Sequence, residues 1–555
     1  MTFTDPCQLQ TQDLLRLITQ LQEQNAQLKE QIEQLEAEIR RLKKLPAKPD
    51  IKPNTKPSGN GEDGSDGEQP VPEGNDDGDS DSSPKKRKVK KPNENTRKQR
   101  KQPPKPPAEH SVTVAASDVP KGSTFNGCTP FYVQELTIQA SSIEYLLEQW
   151  VTPDGKTITA KPPGRLHGHH YGPMLQAYIL HQYHGCSVTQ PELLDWLWDI
   201  GISISSGELS QLLTTGHELF HAEKDELLTT GIRCSSYIQA DDTGTRHNGK
   251  NGICTIINNE SFAWFESTGS KSRENFLSLL HRPWSTYSLT DNGLTYLEKL
   301  DYPRKWLRKL EPYRGVTFLS HEAWKECMKE LGLTGRRRQQ ASEAMIYGSL
   351  IEHGAGHLTT FSDGARQFDV FKHSQCWIHA ERGLAKVHPV NDQQAMAQKW
   401  LRTWFWAIYN DLKEFKSAPT DDKANSIRHG FEILLQTRTC SELLQSALSG
   451  LAVIKKELLL VLTDPRLPLH NNLSESQIRE YVKRRKVSGG TRSTLGRQCR
   501  DTFASLKKTC RLYGLSFWDY LTDRLTGSGV FPSLADLIER NSRALPSGLE
   551  LCSNY

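Results

Sequence analysis

The sequence predicts an α/β protein whose folded part is preceded by a helical coil and a charged tether. Three observations predict this. Short apolar runs bounded by turn residues recur at 233–246, "RCSSYIQADDTGTR", at 252–267, "GICTIINNESFAWFES", and at 356–371, "GHLTTFSDGARQFDVF"; such runs read as strands. Helical spacing dominates the stretches between and after them. The first 45 residues carry an unbroken seven-residue repeat, and residues 46–110 are nearly devoid of large apolar groups.

The totals narrow the choice. A chain of 555 residues has room for about three or four ordinary domains. Only 35% of residues are hydrophobic, so part of the chain is expected to stay outside any apolar core. The 70 basic and 66 acidic residues leave a net charge of +4, too small to name a partner, so the distribution of charge matters more. The 11 cysteines are scattered with no CxxC pair. This argues against a disulfide framework or a zinc ribbon and for reduced cytosolic thiols. The N-terminal "MTFTDPCQLQTQDLL" has no basic-then-apolar leader, and no apolar run reaches about 18 residues. Neither a secretion signal nor a membrane span is expected.

Residues 10–45 are expected to form a parallel coiled coil. Leu14, Leu21, Leu28, Leu35 and Leu42 repeat every seven residues, and Ile18, Asn25, Ile32 and Ile39 follow the first four of them by four. Leu at d with Ile at a favours two strands, and Asn25 at an a position fixes register. A homo-oligomer joined through residues 14–42 is the reading; one amphipathic helix packed on its own protein is the alternative. Pro46 ends the repeat. Residues 46–110 read as a disordered charged linker, acidic in "GEDGSDGEQPVPEGNDDGDSD" and basic in "PKKRKVKKPNENTRKQRKQPPK". Such a segment buries too little surface to offset chain entropy. Its basic half can hold phosphates, resembles a nuclear-import signal at "PKKRKV", or is simply a solvated tether.

Residues 125–230 read as a helical DNA-binding region. In "SVTQPELLDWLWDIGISISSGELSQLL" (187–213), Thr189 with Glu192 and Ser205 with Glu208 fit capping boxes, and Gly201 breaks the helix pair. A helix-turn-helix and two core-packed helices both fit this pattern. His167, His169 and His170 in "GRLHGHH" have no second ligand cluster beside them. A phosphate-facing or solvated loop is preferred there to a metal site.

Two of the strand runs close on acids, Asp241 with Asp242 and then Asp363. Adjacent strand residues face opposite ways, so only one of Asp241 and Asp242 can point into a site. A third acid, Glu475, heads the basic helix of "HNNLSESQIREYVKRRK" (470–486). Arg479 and Lys483 follow it by one and two turns on the same face. A lone carboxylate at a strand end is ordinarily a cap or a turn residue. Two strand Asp and one helical Glu, in that order, point to metal-dependent chemistry on a polyanion.

Together, "ADDTGTR", "SDGARQF", "CWIHAER" and "HNNLSESQIR" resemble the IS66-type transposases, DDE enzymes with a ribonuclease-H-like core. The resemblance runs from about residue 160 to the C-terminus, and the coil and linker suit the same family. It implies a mixed-sheet core in two parts, 231–375, with an insertion at about 281–350, and 466–530, which carries the Glu475 helix. Residues 376–465 are then an inserted helical subdomain. By this resemblance Asp241, Asp363 and Glu475 are the catalytic acids and metal ligands, for two Mg²⁺ ions or Mn²⁺ in their place. The implied partners are transposon-end and target DNA and accessory transposition proteins, with no membrane; the implied location is the bacterial cytoplasm, at the nucleoid. Arg479, Lys483, Arg484 and Arg485 are expected to bind DNA, with Asp242, Trp377, His379, Arg382, Asn471 and Asn472 in support. Trp377 reads as packing beneath the site rather than as a base-stacking platform.

The chain departs from the family pattern at four places, one of them residues 281–350, with the basic "GRRRQQ" at 335, which run longer than that interval usually does. Asp242 stands where a Glu is common, and His470 stands where an Asp commonly precedes the two Asn. The family's Cys-rich segment ahead of the core is missing, so no zinc is expected.

The chemistry accounts for the residue types. Strand cleavage and joining are in-line displacements at phosphorus. Two Mg²⁺ ions about 3.5–4 Å apart can activate the attacking oxygen and stabilise the leaving one. Mg²⁺ is hard and takes carboxylate oxygens and water. Asp241 is expected to bridge both ions, and Asp363 and Glu475 to hold one each. One alternative is an inactive transposase kept only for binding; the rival from another class, a non-enzymatic regulator built from a zipper and a helix-turn-helix, leaves the three acids and the several hundred residues after the helix pair without a purpose.

Overall fold

Alternating apolar residues build one five-stranded mixed sheet at the centre of the fold. In this computed structural model its strands are β1 (Tyr237–His247), β2 (Lys250–Asn258), β3 (Ala263–Thr268), β4 (Thr359–Ser362) and β5 (Lys372–Gln375). Their order is β3-β2-β1-β4-β5. β1, β2 and β3 form an antiparallel meander, whereas β4 runs parallel to β1 and β5 parallel to β4. The structure describes residues 107, 111–162 and 170–544. The expected coil at 10–45 with its self-association surface, the linker apart from residue 107, and His167 and His169 lie outside the described residues.

The first hairpin is longer than the sequence pattern predicts. β1 turns into β2 over Asn248 and Gly249, with φ of 46° and 75°. An Asn-Gly pair takes these left-handed values at little cost, and the resulting tight turn matches the twist of a hairpin. Asp241 and Asp242 therefore lie mid-strand, not at the strand's end as expected. Only the β4 side of β1 is unpaired at that level, because the pairing between the two strands ends at Gln239 with Phe361.

Each face of the sheet is covered differently. Ile238, Ala240, Ile257 and Trp264 join a large core with the helices Pro173–Leu180, Gln190–Asp199, Ser206–Thr214, Glu218–Cys234, Thr494–Leu512 and Phe517–Thr526. On the other face Cys254, Ile256 and Phe265 pack against Ile478 and Tyr481 of the helix Asn472–Ser488. Burying each such large side chain is worth about 1.5–3 kcal/mol. The edge strand β3 has backbone N–H groups with no strand partner on its outer side. Those of Ala263, Phe265 and Ser267 donate to Thr509 Oγ1 (3.2 Å), Ser505 Oγ (2.9 Å) and Asp501 Oδ2 (2.8 Å). These three acceptors repeat every fourth position on one face of their helix, so that face satisfies the edge that would otherwise invite another strand.

Both capping boxes of the helix pair Gln190–Asp199 and Ser206–Thr214 form. Leu193, Leu197, Leu209 and Leu213 of the pair are buried in the same core as the sheet. Residues 111–162 contain no helix. They run extended and mostly exposed, with one short hairpin between Gln149–Val151 and Thr157–Thr159. The helical part of the region expected at 125–230 thus begins at Pro173.

Two lobes interrupt the sheet, each with its own core. Between β3 and β4, Leu289, Leu297, Trp324, Met328 and Met345 are among the buried residues of the first. Between β5 and the Glu475 helix, Trp377, Phe405, Leu412, Phe431 and Leu448 are among those of the second. No described helix is long and apolar enough to cross a membrane.

Candidate active site

Strand alternation fixes where the acids point. Asp241 pairs with Ile256 and Gln239 with Asn258 across the hairpin, which puts all four on the face that carries the helix Asn472–Ser488. Asp242 pairs with Thr255 and takes the opposite face. There it accepts from Thr255 Oγ1 at 2.7 Å and from Gln367 Nε2 at 2.9 Å, and Lys271 Nζ lies 3.9 Å away. Asp242 is therefore a bracing residue, not a member of the cluster around Asp241. Asp363 follows Phe361 by two residues, and extending the parallel register of Gln239 with Phe361 brings it alongside Asp241.

The third acid is held in place by its own helix. Ser474, fully buried, donates to Asn258 Oδ1 at 2.7 Å and lies 3.2 Å from Gln239 Oε1. Upstream, the backbone N–H of Asn471 meets Cys376 Sγ at 3.4 Å, and that of Trp377 donates to Leu469 O at 3.0 Å. These contacts tie the start of the helix to the beginning of β1 and the ends of β2 and β5. Glu475 sits in the first turn, where the helix dipole favours a carboxylate. His379 Nε2 lies 3.7 Å from Glu475 Oε1.

The electrostatics register the convergence. Burial lifts the Asp241 carboxyl to about 7, and the charges of Asp363, Asp242 and Glu475 add to the lift against the hydrogen bond from the Asp242 N–H. That bond is 2.8 Å long. His379 is pushed below its ordinary value by burial and by Arg382, while Asp363 and Glu475 pull the other way. Asp241, Asp363, Glu475 and His379 thus feel one another, although they come from four separate parts of the chain. Arg382 and Arg479 are exposed beside them.

The donors at this point are carboxylate oxygens, the hard ligands that Mg²⁺ or Mn²⁺ takes. An acid held near neutrality by burial and by other acids lacks positive charge around it, which a divalent cation supplies. On both counts the residues fit such an ion. Among the described residues, however, the trio of potential ligand atoms that all lie within 4.8 Å of one another is a different one, Asp369, His373 and Glu457.

The family model for the IS66 transposases matches residues 339–498, a segment that contains Asp363, His379 and Glu475. The chain belongs to the IS66 transposase family. It is also 38% identical over 315 residues to an uncharacterised protein, y4jO, of Sinorhizobium fredii strain NGR234; the aligned part is 56% of this chain and 98% of the relative. No solved structure matches the chain significantly.

Within this IS66 family chain the remaining expected site residues divide. Lys483 and Arg479 are exposed on the Glu475 face of their helix. Arg485 is half-buried, and its guanidinium lies beside Gly244 of β1. Arg484 points inward. It is buried, donates to Tyr183 O at 2.6 Å and lies over the Tyr183 ring at 4.3 Å. This removes Arg484 from the DNA-binding set, because a guanidinium already spent on a carbonyl and a ring is not presented to phosphates. Trp377 is buried, donates from Nε1 to Leu458 O at 3.0 Å and packs against Phe405 and Phe431, so it supports the site from below. Asn472 is exposed, whereas Asn471 is buried and its side-chain amide has no hydrogen-bond partner among the described residues. Burial and Lys413 push His470, which stands in place of the family's Asp, below its ordinary value.

Proposed function

We propose that this protein is a DNA transposase that cuts and joins DNA strands at the Asp241, Asp363 and Glu475 site. One observation supports the reading: the Asp241 carboxyl, beside the point where β1 loses its β4 partner, is raised first by burial and then by the charges of Asp363, Asp242 and Glu475. The strand order β3-β2-β1-β4-β5, with its antiparallel meander and two parallel additions, supports a ribonuclease-H-like core. Asp241, Asp363 and Glu475 would hold Mg²⁺. When bound, the ion supplies activation of the attacking oxygen and stabilisation of the leaving one.

The chain's own residues do the rest. Asp241 must shed the proton that burial and its neighbours favour, so competence rises with pH through about 7. His379 stands beside Glu475 at 3.7 Å. Arg382, Arg479, Lys483 and Arg485 neutralise the phosphates on either side of the scissile bond, which lets a polyanion approach a cluster of acids. Transposon-end and target DNA are the partners, and the cytoplasm is the working location.

Asp363→Asn tests the reading. Strand transfer on a DNA substrate should fall by about a thousandfold or more, the equivalent of ~4 kcal/mol, with DNA affinity kept within a few-fold. Unchanged strand transfer overturns the catalytic assignment. A wild-type protein that binds DNA but never cuts it favours the binding-only regulator.

A further inference from the structure

A second cluster lies on the other side of the same strand pair. Asp369 precedes β5, His373 lies within it, and Glu457 comes from the helix Lys455–Leu458 at the end of the second lobe. One potential ligand atom from each lies within 4.8 Å of the others. His373 pairs with Thr360, which pairs with Ile238, so its side chain takes the face opposite Asp241.

The imidazole decides what the cluster is for. The His373 side chain is only 4% exposed. Its Nε2 lies 2.9 Å from Ser362 Oγ, and its Nδ1, though buried, makes no hydrogen bond. Nδ1 faces Glu457 Oε1 at 4.0 Å, too long for a hydrogen bond in either tautomer. With Nε2–H donating to Ser362, Nδ1 turns a lone pair towards the Glu457 carboxylate, with Asp369 close by. That arrangement leaves three electron-rich groups facing one another around a gap.

The carboxylates are held in a way that keeps the gap open. Gln375 Nε2 donates to Glu457 Oε2 at 3.0 Å, on the far oxygen from His373. Arg273 lies 3.6 Å from Asp369 Oδ2. Even with Arg273 included, the cluster keeps a net negative charge before any cation arrives. In a tetrahedral site with ligand bonds of about 2.0–2.1 Å, neighbouring ligand atoms stand roughly 3.3 Å apart. Closing from separations of up to 4.8 Å needs rotation of the Glu457 and exposed Asp369 side chains.

We propose that Asp369, His373 and Glu457 form a binding site for one divalent first-row transition ion, distinct from the carboxylate site at Asp241. The mixed nitrogen and oxygen donors suit Zn²⁺ or Mn²⁺ over Mg²⁺. Ser362 on Nε2 is the outer partner that metal-bound imidazoles ordinarily have, and it fixes the ring. Ser362 also immediately precedes Asp363, and its hydroxyl accepts from the Gly364 N–H at 3.2 Å. A bound ion would therefore tie the second lobe to the turn that carries Asp363.

The test is calorimetric titration of the chelator-treated full chain with ZnCl₂, in excess Mg²⁺ to fill the carboxylate site. The wild type should bind one Zn²⁺ that is lost in His373→Gln and weakened at least tenfold in Asp369→Asn, while Asp241→Asn binds it as the wild type does. Asp369 is exposed, so its variant stays folded even if the loss of His373 disturbs the core. Absence of Zn²⁺ binding by the wild type overturns the proposal. So does binding of equal strength in His373→Gln and Asp369→Asn, which would place the ion on cysteines or at Asp241.

Discussion

Two glutamates on one helix, Glu475 and Glu480, meet opposite fates. Glu480 is wrapped by cations. Lys507 and Lys508 pair with it, and Arg511 donates to it at 2.6 Å. Burial alone would raise its carboxyl, but Lys508 and Lys507 outweigh that and hold it at about 2. Five residues earlier Glu475 lies 3.7 Å from the His379 imidazole, and its charge adds to those that raise Asp241. Asp501 resembles Asp241 in that burial raises its carboxyl, to about 6, and differs from it in its partners. Asp501 is the more deeply buried, yet it accepts from the Ser267 N–H, the Ser267 hydroxyl and the Tyr481 hydroxyl. A carboxylate surrounded by donors holds the fold together. A carboxyl buried among other acids keeps its proton to a higher pH, or gives it up to a cation from outside.

This contrast breaks first at Glu475 and Glu480. Glu475→Gln should cut strand transfer by about a thousandfold or more, ~4 kcal/mol, and leave the urea midpoint almost unmoved. Glu480→Gln should do the reverse. Activity per folded molecule persists, and stability drops by about 2–4 kcal/mol because Lys507 is left buried without its partner. Loss of activity in both variants, or in neither, would erase the distinction.

Acid unfolding sharpens it. The Glu480 carboxyl is held at about 2 against an ordinary 4.5. Its contribution is therefore complete above about 4.5 and is lost as pH falls towards 2. The stability gap between wild type and Glu480→Gln, followed by denaturant melts, should shrink over that window and stay constant above it. A gap independent of pH would mean the pair is not what holds Glu480.

Asp241 has the opposite sign. Its folded value of about 7 exceeds the ordinary 3.8, so the folded protein binds the extra proton between those limits. The metal-free protein loses stability as pH rises through this range. Asp241→Asn should therefore be more stable than the metal-free wild type at pH 8, by roughly 1–3 kcal/mol, and nearly equal to it near pH 4. Added Mg²⁺ should raise the melting temperature of the wild type and not of the variant. A variant less stable at pH 8 would contradict the placement of Asp241 among acids.

The smallest effect belongs to the basic face. Arg479→Ala with Lys483→Ala should weaken DNA binding evenly across sequences. It should also flatten the dependence of log affinity on log salt by about 0.9 for each phosphate no longer neutralised. Arg484→Ala should instead destabilise the fold without changing that slope, since its guanidinium serves Tyr183.

The legible part of the molecule is the part written in local pattern. Both capping boxes and the strand runs stand in short motifs whose spacing carries direct meaning. The full length of β1 is hidden although "HNGK" contains the turn that extends it. The acids and small polar residues after Ala240 carry few apolar groups, and ladder hydrogen bonds, not burial, keep them extended. Arg484 is hidden because "KRRK" reads as one basic run, whereas the helical period sets it on the inward face with Gln477 and Tyr481. The Asp369–His373–Glu457 cluster has no local signal at all. Glu457 reaches the edge strand from the far end of a lobe whose docking only tertiary packing determines.

The central claim is that Asp241, Asp363 and Glu475 share divalent cations. Anomalous scattering from a crystal of the full chain soaked in Mn²⁺ tests it most directly. The account predicts one or two peaks bridging those three carboxylates at ordinary coordination distances of about 2.0–2.3 Å, and their disappearance in Asp241→Asn. Carboxylates that stay apart with no peak between them, while Mn²⁺ is present at saturating concentration, would contradict it.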